Sequence, residues 1–404
     1  MTRVDRSTML LTGRVVTADG VVADGAVVVD RDRVVWAGRR ADLSADDAAL
    51  PLPDSWHTGL TLLPGLVDVH CHGGAGGEFG PDAVASRTAA AHHHRSGTTS
   101  VVASLVSAAP HVLVDGVHTC AALVATGELA GIHLEGPFLS YERRGAQDPD
   151  ALSDPDPGLI EALSAAASAA GAHDALLQMT FAPERPGADA LPALLARHGI
   201  VASVGHTDAD ADTAWTALRQ VRELAPRGGR PLVTHVFNGM PPMHHRSPGP
   251  VAAAIGQAGR GDAVLEMIGD GVHLAAGTVR MLFDAVGPDA ICLVTDAMAA
   301  SGMPDGRYTL GGRAVVVADR TARLADGGAI AGGVATLLDV VRWCVDEVGV
   351  PLVDAVSAAT RTPARSMALS GVGELVTGGR ADVLVVDDGL EVVSVLRAGR
   401  WLTS

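Results

Sequence analysis

Lysine is absent from this chain: all 30 basic residues among 404 are arginine. The absence excludes a lysine Schiff base, and it excludes a carboxylated lysine bridging two metal ions, so any bridge must be an ordinary carboxylate. Cysteine is scarce. Cys71, Cys120, Cys292 and Cys344 stand far apart with no Cys-x-x-Cys pair, which fits a reducing compartment rather than a disulfide framework. No apolar run approaches the roughly 18 residues of a membrane span, and the first residues are too polar and too interrupted for a signal peptide. A cytoplasmic location is expected. Basic runs are also missing and the net charge is −16, so neither nucleic acid nor an anionic membrane is an expected partner. Small molecules are, and an anionic one would need a local positive site.

What the chain does have is apolar content and glycine. It is 48% hydrophobic and only 19% charged, with 48 glycines, as in a well-buried α/β protein with many tight turns between strands and helices. The first 60 or so residues read as short strands, with a polar Asp30-Arg31-Asp32 hairpin centre. The last 40 have the same texture, and the two ends are expected to pair into one small β-sandwich domain, residues 1–63 with 365–404. Between them, eight apolar runs alternate with Ala-rich helical stretches such as 82–96 and 159–170: 65–72, 98–105, 131–137, 176–183, 200–207, 232–238, 264–273 and 291–298. Eight such units predict a TIM-like (β/α)8 barrel over residues 64–364.

The chemistry-bearing residues collect at the C-terminal ends of those runs, where barrels place their active sites. His70 and His72, at i and i+2 on a strand, project from one face and form a chelating pair. His206, His235 and Glu135 close three other runs. Either histidine alone is more often a hydrogen-bonded core residue, but a carboxylate at the end of a buried strand is costly unless paired or metal-bound. His133 shares the face of Glu135 and is read as a hydrogen-bonding support for the ligands. Asp296 closes the eighth run; its alternative reading is a helix N-cap, and beside a metal-activated water it is the proton carrier. In so acidic a chain the His244-His245-Arg246 loop is either a phosphate site or a solvated surface loop. His92, His93 and His94 lie consecutively on a helix and diverge around its axis, so they are not expected to form one site.

These segments resemble the N-acetylglucosamine-6-phosphate deacetylases of the amidohydrolase superfamily from end to end. The motifs are LLPGLVDVHCHGG (62–74), GIHLEGPF (131–138), RRGAQ (143–147), TFAPE (180–184), VGHTDA (204–209), THVFNGMPPMHHRSPG (234–249), IGDGVH (268–273), LVTDAMAASGM (293–303) and IAGGVATLLD (330–339). The resemblance implies hydrolysis of N-acetyl-D-glucosamine 6-phosphate to D-glucosamine 6-phosphate and acetate, in amino-sugar catabolism and cell-wall sugar recycling. The competing expectation is an amidohydrolase acting on another amino-sugar phosphate or a small amide. By resemblance, Glu135, His206 and His235 hold one divalent metal, and His70 and His72 a second bridged by Glu135. Zinc is the first expectation; iron, cobalt and manganese are the others. Asp296 matches the catalytic acid and base, with His273 polarising the acetyl carbonyl. Ala146, Asn238, Gly239, Arg246, Asp270, His273, Ala331, Gly332 and Gly333 match substrate-binding positions, and the resemblance implies a homodimer. Three positions depart from the family's usual pattern: Gln147 stands where many members have histidine, Gly239 replaces alanine and Gly333 replaces serine.

Overall fold

A computed structural model describes residues 8–53, 56–226, 229–326 and 328–402. Eight parallel strands, one from each apolar run, form the central sheet in chain order: β1 (Leu66–Cys71), β2 (Thr98–Val106), β3 (Gly131–Glu135), β4 (Leu176–Phe181), β5 (Val201–Val204), β6 (Leu232–Val233), β7 (Val264–Met267) and β8 (Ile291–Leu293). The barrel closes between β8 and β1 through a parallel bridge of Cys71 with Ala297, with Asp296 N donating to His70 O at 2.9 Å and His72 N to Ala297 O at 2.7 Å. Apart from Val106 at the end of β2, every residue of these strands is buried, as expected of a parallel sheet covered on both faces. The later strands are shorter than their apolar runs. The residues that follow β5, β6 and β8 leave the ladder, and His206, His235 and Asp296 sit there with positive φ values of 46°, 27° and 48°.

Helix starts carry their own chemistry. Asp82 accepts from the Val84 and Ala85 amides at the head of Ala83–Arg95, Asp156 from Gly158 with proline at the first helical position, and Asp210 from Thr213. Each satisfies amides that a helix N-terminus otherwise leaves without partners. No helix among the described residues is long and apolar enough to cross a membrane.

The chain ends do share a sheet. Its strand order is Arg400–Leu402, Val392–Arg397, Val383–Val386, Thr61–Pro64, Thr8–Thr17, Gly20–Asp30, Arg33–Arg39. The hydrogen bonding makes one continuous seven-stranded sheet rather than two separately bonded ones. Its single parallel junction is between Thr8–Thr17 and Thr61–Pro64. Thr61–Pro64 then leads through Gly65 directly into β1. A Cβ on Gly65 would stand 2.1 Å from Thr99 Oγ1 and 2.9 Å from Asp382 Cβ, so only glycine lets sheet and barrel approach this closely. Asp382 secures the junction, accepting from Thr99 Oγ1 at 3.1 Å and Arg380 Nε at 2.6 Å.

A three-stranded antiparallel sheet, Gly306–Leu310, Arg313–Ala318 and Thr321–Leu324, inserted after β8, has no counterpart in the sequence reading. It packs Leu310, Val315 and Leu324 on Met298 and Ala331.

Candidate active site

Four imidazoles converge on one carboxylate at the C-terminal mouth of the barrel. His206 and His235 bring Nε2 to 2.9 Å from Glu135 Oε1. His72 Nε2 lies 3.2 Å from Glu135 Oε2, and His70 Nε2 3.5 Å from Oε1. Asp296 Oδ1 faces the same pair, 3.1 Å from His72 Nε2 and 3.4 Å from His70 Nε2. Every one of these side chains is buried.

The rest of the site orients the rings. His70 Nδ1 is 3.0 Å from Glu266 Oε2, His72 Nδ1 3.1 Å from Ser104 O, and His206 Nδ1 2.7 Å from Arg143 O. A ring nitrogen that donates to a carboxylate or carbonyl leaves the opposite nitrogen as a lone-pair donor, which is how protein sites prepare imidazole for a metal. His235 Nδ1 has no such partner among the described residues. His133 lies one layer behind, its ring edge-on to His70 at 4.6 Å and its nitrogens on Ser104 Oγ and Thr180 Oγ1.

Burial alone would push the His70 pKa down, but Asp296 and Glu135 overcome it and raise it to about 9. His72 is likewise held well above its ordinary value, against burial, by hydrogen bonds to Asp296 and Glu135. Burial works against both carboxylates, yet His206 and His70 keep Glu135 well below the usual range, and His70 with His72 brings Asp296 to about 2. The pocket therefore stabilises positive charge. His70, Glu135 and His235, and again His70, His72 and Asp296, offer ligand atoms within 4.8 Å of one another. Borderline nitrogen and oxygen donors, prealigned and surrounded by a field that favours cations, fit a divalent ion.

Above this centre is a cavity of about 290 Å³. His72, Glu135, His206, His235, His273 and Asp296 line it, with Ala146, Asn238, Gly239 and Gly332 from the expected substrate positions. His273 is fixed by Asp270, which accepts from its Nδ1 at 2.9 Å and from its backbone amide at 2.8 Å. Asp270 thus supports the wall without being part of the lining. Ala331 is buried against Met298. Gly333 holds the Asp296 backbone through N–H to O at 2.7 Å, and a Cβ there would stand 2.4 Å from Thr295 O. Arg246 is exposed, donates from Nη1 to His245 Nε2 at 2.8 Å, and is not among the residues lining the cavity of its own chain. His92, His93 and His94 diverge as expected, to Ser301, to Gly73 O and to the carbonyls of Thr98 and Glu128.

The sequence reading marked Gln147 only as a departure from the family's pattern, and it missed other neighbours of the site. Gln147 donates to Glu135 Oε2 at 2.5 Å. Glu266 supports His70, and its signal was present: a carboxylate inside the apolar run of β7. Phe237 followed the motif histidine, whereas Leu310, Ala329 and Ile330 reach the cavity only through the inserted sheet and its exit loop.

A model of the amidohydrolase family matches residues 61–402. The N-acetylglucosamine-6-phosphate deacetylase of Lysinibacillus sphaericus is 32% identical over 383 residues, 92% of this chain and 93% of the relative. An N-acetylgalactosamine-6-phosphate deacetylase of Escherichia coli O157:H7 is also 32% identical, over 346 residues, 84% of this chain and 87% of the relative. The crystal structure of N-acetyl-D-glucosamine-6-phosphate deacetylase from Mycobacterium smegmatis superposes with a TM-score of 0.88 at 38% identity, covering 98% of this chain and all of that one. A mutant of the Mycobacterium enzyme in complex with N-acetyl-D-glucosamine-6-phosphate gives 0.87. Matched over nearly its whole length and carrying the imidazole and carboxylate centre at the barrel mouth, the chain belongs to the N-acetylglucosamine-6-phosphate deacetylases of the amidohydrolase family.

Proposed function

We propose that the protein hydrolyses the acetamido bond of N-acetyl-D-glucosamine 6-phosphate, releasing acetate and D-glucosamine 6-phosphate, as a cytoplasmic enzyme of amino-sugar catabolism and cell-wall sugar recycling. The observation that carries this reading is the convergence of four imidazole Nε2 atoms on Glu135, with Asp296 facing them at the floor of the cavity. Glu135, His206 and His235 would hold one divalent cation, and His70 with His72 a second that shares Glu135. Zinc suits these donors; iron, cobalt and manganese accept the same types. Such a cation supplies Lewis acidity towards a carbonyl oxygen and lowers the pKa of water.

The side chains do the rest. Asp296, ionised under the influence of His70 and His72, takes the proton of the attacking water and delivers it to the departing sugar nitrogen. His273, whose Nδ1 donates to Asp270 and whose pKa that carboxylate raises against burial, donates from Nε2 in its imidazolium form to the acetyl oxygen as negative charge develops there. We assign the sugar and acyl contacts to Ala146, Asp270 with His273, and Ala331 to Gly333, and the phosphate to Asn238, Gly239 and Arg246. Because Arg246 lies outside the lining of its own cavity, the reading includes a homodimer in which this arginine serves the neighbouring subunit.

Acetate release measured on N-acetylglucosamine 6-phosphate, N-acetylgalactosamine 6-phosphate and unphosphorylated N-acetylglucosamine tests the proposal. The first is expected to have the highest kcat/KM. Preference for the second would move the assignment to the other hexosamine, and equal turnover with and without phosphate would remove the phosphate site.

A further inference from the structure

Gln147 is fixed at both ends of its amide. Its Oε1 accepts from the Ser107 backbone N–H at 2.8 Å, which turns Nε2 onto Glu135 Oε2 at 2.5 Å. Its side chain is buried, and Arg313 donates to its backbone carbonyl at 3.3 Å. Glu135 is thereby divided between two halves of the site. Oε1 faces His206 and His235, with His70 farther off at 3.5 Å, whereas Oε2 faces His72 and Gln147. A carboxylate oxygen has two lone pairs, so the hydrogen bond from Gln147 occupies one on Oε2 and leaves the other for the side of His72, whose Nε2 lies 3.2 Å from His70 Nε2. The terminal torsion of glutamate is otherwise broad. Released from Gln147, the group could turn both oxygens towards a single ion.

We infer that Gln147 is a positioning residue that holds Glu135 as a bridge, and so keeps the His70 and His72 half of the site competent for a second divalent cation. The inference rests on the two-cation reading above. An amide suits this task because it donates at every pH and adds no charge beside a cation, whereas an imidazole can do either.

Titration of chelator-stripped protein with Zn(II), followed by calorimetry, tests it on wild type, His70→Ala/His72→Ala, Gln147→Ala and Gln147→Met. Wild type should take two equivalents and the histidine double variant one. Both Gln147 variants should bind the first equivalent as wild type does and the second about 10–100-fold more weakly, the usual cost of losing a partner of a metal ligand. A merely structural role would weaken both equivalents together. If wild type takes two equivalents and the Gln147 variants bind both unchanged, or lose both alike, the inference fails while the two-cation reading stands. One equivalent in wild type would remove that reading and this inference with it. Gln147→Met keeps length and bulk without a donor, so it carries the test should Gln147→Ala fail to fold by circular dichroism.

Discussion

Asp296 occupies a left-handed backbone conformation, φ 48°, which costs a non-glycine residue on the order of 1–3 kcal/mol. Two backbone hydrogen bonds, to His70 O and from Gly333 N, hold it there with its carboxylate turned to His70 and His72 rather than capping a helix. Asp296→Asn keeps that shape and removes the proton acceptor. Turnover should fall by about 10²–10⁴-fold with the circular dichroism spectrum unchanged; activity within about threefold of wild type would take Asp296 out of the proton path. The Asp270 and His273 pair gives a prediction in pH. Against burial, Asp270 raises His273 above its ordinary 6.5, and His273 draws Asp270 below its ordinary 3.8. A raised imidazole contributes stability in full below 6.5 and loses it as pH climbs through the raised value. A depressed carboxylate contributes above 3.8 and loses it as pH falls through the depressed value. Urea unfolding of chelator-stripped protein should therefore show the largest gap between wild type and Asp270→Asn from pH 3.8 to 6.5, about 1–3 kcal/mol. The gap should narrow at higher pH; a gap that widens with alkali would contradict the assignment.

At the scale of elements, the eight apolar runs were legible because a buried parallel strand needs an unbroken apolar segment. The point at which each strand stops was not legible. His206 and His235 continue apolar runs but leave the ladder two residues after β5 and β6, since their rings must turn inward to meet Glu135. The inserted sheet was missed because its alternating pattern, with Val315 and Val317 buried and Ala314, Val316 and Ala318 exposed, belongs to a half-exposed ribbon unlike the buried runs around it. That ribbon braces the cavity wall through Arg313, whose guanidinium donates to Ala146 O at 3.4 Å and Gln147 O at 3.3 Å and pairs with Asp326 at 2.9 Å. The ion pair is largely exposed and is worth under about 1 kcal/mol. Arg313→Ala should thus leave the urea midpoint almost unchanged while raising KM by about 3–10-fold through the two lost contacts. Equal loss of stability and no change in KM would make the ribbon a structural addition only.

The whole molecule is held together where its ends meet the barrel. Thr61–Pro64 is both a strand of the terminal sheet and the lead into β1, so the small domain and the His70 and His72 pair share one continuous stretch of chain. Gly65→Ala would force a Cβ against Thr99 Oγ1 and Asp382, disturbing the hydrogen bonds that join the two bodies. Overpacking of this kind costs about 1–3 kcal/mol, and the loss should appear as a lower urea midpoint. A variant as stable as wild type would show that the junction yields easily.

Composition and periodicity, read along the chain, were enough for the barrel, for the pairing of the termini and for five side chains that the fold brings together at the barrel mouth, because each of these follows from the local rule that a buried strand is apolar until its end. The motif resemblance added the reaction. The partners that make the site work lie far away in sequence: Glu266 on His70 at a separation of 196 residues, Arg143 O on His206 at 63, and Gly333 on the Asp296 backbone. Only the closed barrel brings these together. The same holds for Arg246, whose charge suggested a phosphate clamp, while its exposed position depends on where the loop settles against its neighbours. A ligand's type is written locally, but its orientation depends on contacts between distant strands, and those exist only in the folded chain.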